Sequence, residues 1–229
     1  SGFLSVHVVL LVVLLLLWKR SGASHASSQR LPLPRMQDLL CSLPRWVVVV
    51  GLWFILWSGC KVAAGAYDLL LTPSYFNDTY ANWNMRAKAF YRSESLLLDL
   101  PGDDPMYFGG RVPSYPLTVY FTKVWLAQTT GSWSDAVVNS IHIVWFLVLL
   151  GVVFAALRRT VSVAAAAIGI YVLVSVPLLL VQGVNAYTDV LMRAYVFSAV
   201  YFLYRWVDES APATLLVLCG IMTAALLFV

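Results

Sequence analysis

Residues 136 to 157, AVVNSIHIVWFLVLLGVVFAAL, are 22 consecutive positions without an Asp, Glu, Lys or Arg. As a helix rising about 1.5 Å per residue, the run reaches about 33 Å, which matches a hydrocarbon core of roughly 30 Å. Similar apolar runs cover Phe3–Trp18, Trp46–Ala66, 161–181 and 211–229, and a shorter one covers 190–207 with Arg193 near one end. Of the 229 residues, 61% are hydrophobic and only 11% charged, with a mean hydropathy of +0.80. That is too little polar side chain to coat a water-soluble domain of this length. The expectation is an all-α, polytopic integral membrane protein. It has about six transmembrane helices in a single membrane-embedded module, 1–229, with interfacial juxtamembrane helices in a large outer loop, 67–135. The chain begins at Ser1 and stops inside the apolar LLVLCGIMTAALLFV, which suggests a truncated piece of a longer protein.

Charge sets the expected topology. Lys19, Arg20, Arg30, Arg35 and Arg45 stand against the single acid Asp38 in the loop between the first two spans. Short loops rich in Lys and Arg stay on the cytoplasmic side. Residues 115 to 130, YPLTVYFTKVWLAQTT, decide the rest. As a helix they cover about 24 Å, short of the core, and Lys123 sits in their middle. If this segment lies at the interface, Arg158, Arg159 and Arg205 join the first loop inside, and every short loop obeys the rule. The 67–135 region and the link VQGVNAYTD, 181 to 189, then share the outer face, so Asp78 and Asp189 can meet there.

The net charge of +4 suits a chain beside anionic lipid. No dense Lys/Arg patch points to nucleic acid. Cys41, Cys60 and Cys219 are scattered without His or acid at ligand spacing, so neither a disulfide framework nor a zinc site follows. His7 and His142 fall in apolar runs and His25 in a polar loop, with no shared spacing. Tyr187 and Trp206 bracket a span as interfacial anchors, and Pro177 predicts a kink inside one.

The segment YFNDTYANWNMRAKAFY, 75 to 91, is the most unusual stretch of the outer loop. At about 100° per residue, Phe76, Tyr80, Trp83, Ala87, Phe90 and Tyr91 share one arc, with Asp78, Asn82, Arg86, Lys88 and Arg92 on the remainder. This predicts an interfacial helix, aromatic side in the headgroup layer and polar side up, a pattern that a helix with no chemical role would also show. Beyond it, Asp99, Asp103, Asp104 and Arg111 stand among turn-forming Gly and Pro. Asp103 and Asp104 read as a solvated turn or as metal ligands. Asn77-Asp78-Thr79 is formally a glycosylation triplet, unsuited by its closeness to the membrane.

Taken in order, these pieces resemble the N-terminal half of the GT-C membrane glycosyltransferases. The branch is that of the protein O-mannosyltransferases and the bacterial lipid A aminoarabinose transferases. The segments that carry the resemblance are Asp78 to Phe90, Arg111 to Leu117 and Ala186 to Leu191, with a double-Arg turn at Arg158–Arg159 between spans. Relatives read D-A-x-x-Y-W-x-x-R-A-K-A-F, then H-P-D-Y-P-L, then G-Y-A-D-L-P-L. This chain departs from them at Arg111-Val112-Pro113-Ser114-Tyr115-Pro116, where Ser114 replaces the acid.

The resemblance implies an enzyme of the bacterial plasma membrane, its active site facing outside. It would take a sugar from a polyprenyl-phosphate donor and transfer it, with inversion, to a hydroxyl of a lipid, glycan or protein acceptor. Asp78 would be the catalytic base, ionised in a partly wet pocket. Arg86, Lys88, Arg111 and Arg193 would meet the donor phosphate, whose leaving charge needs cations or hydrogen-bond donors. Asp189, the second acid, would hold a divalent cation near the phosphate or orient Arg193 one turn along its helix. An acid opening a helix is also favoured by the dipole alone. Two other classes compete. A transporter or flippase for a lipid-linked sugar would place ionisable residues near mid-bilayer, where these spans show mainly Val, Leu, Ala and Phe. A non-catalytic membrane scaffold would tolerate neutral replacement of both acids.

Overall fold

The computed structural model describes residues 45–73, 79–95, 116–209 and 212–229, which belong to one unit, 45–229. Among these residues every regular element is a helix. The first expected span, 3–18, the basic loop before residue 45, Asp78, Asp99, Asp103, Asp104 and Arg111 lie outside the described residues.

The expected second span is helix α1, Arg45–Leu71. It runs five residues past Ala66, so the outer loop begins later than the composition suggests. A short π-helical stretch, Thr79–Asn84, leads directly into α2, Met85–Ser93. Helix α3, Thr118–Thr130, has 13 residues and ends where Gly131 takes the left-handed conformation at φ 74°. Its length of about 20 Å leaves it short of a crossing. Helix α4, Asp135–Thr160, carries an acid in its first turn and Arg158 and Arg159 in its last, both matched to the helix dipole.

Helix α5, Val163–Ser175, is capped by the Ser162 hydroxyl, which accepts from the Ala165 amide at 3.2 Å. The kink predicted at Pro177 is a full break. Pro177 opens a separate helix, α6, Pro177–Gly183, bent 82° from α5. Proline lacks the N–H that would continue α5 but suits the first turn of a new helix. Helix α7, Asp189–Glu209, and α8, Thr214–Ala225, complete the order, with a short 3-10 turn at Leu226–Phe228.

Two helices, α1 from Val48 and α4, are long and apolar enough to cross a membrane, or three spans if the bent α5–α6 pair counts as one. α7 has the length, with 21 residues, but carries Asp189, Arg193, Arg205, Asp208 and Glu209. α8 has only 12 residues.

Packing fixes the directions. Phe54 lies against Tyr171 with ring centres 4.4 Å apart, and Lys61 donates to the Ser175 hydroxyl at 3.4 Å, so α1 and α5 run parallel. Only Val161 and Ser162 separate α4 from α5, and a Cβ on Gly169 would come within 2.7 Å of Leu157, so α5 folds back antiparallel to α4. Where helices approach this closely, van der Waals contact between small residues does most of the work, since apolar side chains gain little by leaving lipid. Gly183 shows the point: a Cβ there would sit 2.6 Å from the ring of buried Phe146. Phe146, Leu149, Val174, Val184, Val190 and Ala194 form the resulting core.

A second core sits at the end where α4 and α7 begin. Trp83, Ala87 and Phe90 pack there with Val119, Tyr120 and Leu191. The Thr118 hydroxyl donates to the Phe228 carbonyl at the same end. Arg45 and the Arg158–Arg159 pair stand at the opposite helix ends.

Candidate functional site

Among the described residues of 75–91, the predicted aromatic face is largely packed within the protein. Trp83, Ala87 and Phe90 are buried inside the protein, while Tyr80, expected on the same arc, is 58% exposed. The polar side is equally altered, because Asn82, Asn84 and Arg86 are buried too. The physical reason is the π-helical stretch. A helix with i→i+5 bonding turns less per residue, so the 3.6-residue register assumed across 76–91 is lost at Thr79–Asn84.

Helix α3 provides the floor of the site. Val119, Tyr120, Lys123 and Ala127 are its buried residues. The Tyr120 ring stacks on Trp83 at 5.3 Å and meets the Phe90 edge at 6.2 Å. The Arg86 guanidinium lies 4.9 Å from the centre of the Tyr120 ring and 5.5 Å from that of Phe90. Two aromatic faces therefore hold the cation in place, at a site where it is only 3% exposed.

One turn further along α3, Lys123 is wholly buried. Its Nζ donates to Asn84 Oδ1 at 2.5 Å and to Asn139 Oδ1 at 2.9 Å. One ammonium thus joins the junction of the π-helical stretch and α2 to the second turn of α4. Burial lowers the Lys123 pKa to about 7, and the Asp135 carboxylate partly opposes this. Asp135 also accepts from the Trp133 indole at 2.6 Å. The Lys88 ammonium is 6.0 Å from the Trp133 ring centre, so Lys88 and Asp135 flank the same indole.

On α4, Asn139, His142, Phe146 and Leu149 are all buried, a 3-4-3 spacing that marks one inward face. Its polar members stand at the α3 end. His142 meets Trp145 edge-on at 4.8 Å. Neither of its ring nitrogens has a hydrogen bond of good geometry among the described residues, although the Tyr187 main chain comes close.

Of the residues expected at the site, Arg86 is placed in this cluster and Lys88 at its edge beside Trp133. Asp189 opens α7 and Arg193 follows one turn later on the same helix, both half-buried. Their neighbours Leu191 and Tyr195 pack in the core that holds Trp83, Ala87 and Phe90. The first turn of α7 therefore belongs to the same end of the structure as α2 and α3. Asp78 and Arg111 lie outside the described residues, so their place in the cluster is not among the observations. No group of three or more His, Cys, Asp or Glu able to hold a metal occurs among the described residues.

Reading the sequence passed over Lys123, Asn84, Asn139, His142 and Tyr120 as functional residues. A cation in the middle of an apolar segment was the available signal for Lys123, since a lysine there must either snorkel or find buried acceptors. Lys61 was also passed over. It stands in the middle of the α1 span and donates to Ser175 beside the α5–α6 break, so the spans are not free of ionisable residues. The chain matches no protein-family model, no curated protein sequence and no solved structure.

Proposed function

We propose that this chain is part of a membrane glycosyltransferase that moves a sugar from a polyprenyl-phosphate donor to an acceptor hydroxyl, with inversion. The acceptor is a lipid, glycan or protein, and the site faces the outside of a bacterial plasma membrane. In this reading α7 and the apolar runs 211–229 and 3–18 complete about six spans. Asp78 is the base that takes the acceptor proton while the donor's glycosidic oxygen leaves with its phosphate. Arg86, Lys88, Arg111 and Arg193 offset the charge left on that phosphate. Asp189 orients Arg193 or binds a divalent cation.

One observation carries the reading. Arg86 is pinned between two aromatic rings in the same core that receives the first turn of α7, which bears Asp189. A guanidinium held in this way has a fixed orientation, which helps it stabilise a leaving group once a phosphate reaches it. The apolar helices beside it give a polyprenyl tail a surface to lie on.

The second reading, a flippase for a lipid-linked sugar, is favoured by Lys61 at mid-span next to a broken helix. Asp78→Asn in the full-length protein, reconstituted with radiolabelled polyprenyl-phosphate sugars, separates the two. Loss of sugar transfer with intact expression and folding supports the enzyme. Retained transfer removes Asp78 from the mechanism, and movement of the lipid-linked sugar across the bilayer without transfer supports the flippase.

A further inference from the structure

We infer that Lys123 is a positioning residue for phosphate binding: by tying Asn84 to Asn139 it fixes the start of α2 and so aims Arg86. The inference rests on the glycosyltransferase reading for the ligand, and on geometry for the clamp. Asn84 occupies the N-cap position of α2, yet its side chain caps no amide of that helix. Its carbonyl instead accepts from Lys123, 39 residues away in sequence. Arg86 comes two residues later and lies over Tyr120, which precedes Lys123 by one helical turn on the same buried face of α3. One face of α3 therefore holds α2 at two points, through a charged hydrogen bond at residue 84 and a ring contact at residue 86.

The π-helical stretch makes the clamp necessary. Such a segment is a less favourable backbone arrangement than a continuous α-helix and persists where its surroundings impose it. Thr79, Asn82, Trp83 and Asn84 are all buried, so tertiary contacts hold this stretch rather than solvent. Lys123 supplies the contact at its last residue. Without the ammonium, the Asn84 and Asn139 carbonyls lose a buried donor, and the register that directs Arg86 loses its fixed point.

The test uses the whole chain in detergent, with two readouts. Hydrogen–deuterium exchange over residues 79–84 reports the clamp directly. Binding of farnesyl phosphate, compared with inorganic phosphate, reports the anion site. Lys123→Met should accelerate exchange at 79–84 at least tenfold while leaving α5 and α6 unchanged, and should weaken farnesyl phosphate binding at least tenfold. Asn84→Ala should reproduce both effects and carries the test if Lys123→Met does not fold. Unchanged exchange at 79–84, or faster exchange with unchanged farnesyl phosphate affinity, overturns the positioning role. Wild-type protein that binds no farnesyl phosphate overturns the functional reading beneath it, a result distinct from either of those.

Discussion

A buried lysine ties stability to pH in a direction opposite to that of a salt-bridged one, and Lys123 allows the size to be worked out. Burial lowers its pKa from 10.5 to about 7 in the folded protein. Below pH 7 the ammonium is charged in both states, and the folded state bears the full cost of desolvating it. Between pH 7 and 10.5 the unfolded chain holds the proton that the folded chain has released, so stability rises with pH across that window. The full difference of about 3.5 pH units corresponds to something on the order of 5 kcal/mol. Between pH 7 and pH 9 the gain is about 2 kcal/mol.

The assay is urea unfolding of the chain in detergent micelles, followed by tryptophan fluorescence at fixed ionic strength. The wild type should become more stable from pH 7 to pH 9, and Lys123→Met should lose most of that slope. Asp135 opposes the shift, so Asp135→Asn should lower the lysine pKa further and move the rise to lower pH. A flat wild-type profile, or an equal slope in Lys123→Met, would refute the claim that this ammonium is desolvated.

Gly183→Ala should destabilise by about 1–3 kcal/mol, because its Cβ would meet the Phe146 ring in a core with no room to yield, and thermal unfolding in detergent measures it. Tyr120→Ala should cost about 3–5 kcal/mol and shift Trp83 emission to the red, since it removes the ring that both Trp83 and Arg86 lie against; an unshifted spectrum counts against that stacking. Ser162→Ala should cost about 1 kcal/mol by removing the α5 cap, and measurable fraying at 163–166 by amide exchange is the expected sign. Cysteines placed at 159 and 187 should label from opposite sides of the membrane; labelling from one side would contradict the bent α5–α6 pair as a single span.

Much of the helical order was legible because lipid-facing segments announce themselves by composition. α1 and α4 follow from long apolar runs, that of α1 interrupted only by Lys61 between Arg45 and Asp68, and the α5–α6 break follows from Pro177, whose ring forbids a continuous helix. α3 was readable as a short helix, and it has 13 residues. The limits of α7 were legible to within two residues, whereas those of α8 were less so, because a 3-10 turn replaces the end of the apolar run.

The sequence by itself determined that this is a helical chain with segments apolar enough for a membrane, because hydropathy and proline act locally. It also placed Arg86 and Lys88 in an unusual charged and aromatic segment. Only the tertiary structure decided which side of that segment is buried. A π-helical stretch costs little in any sequence pattern but rotates everything after it, and here it turns Asn84 toward Lys123 and Arg86 onto Tyr120. Lysine in an apolar helix is ambiguous until its acceptors are known. Asn84 and Asn139 lie 39 and 16 residues away in sequence, and no local rule joins them to it.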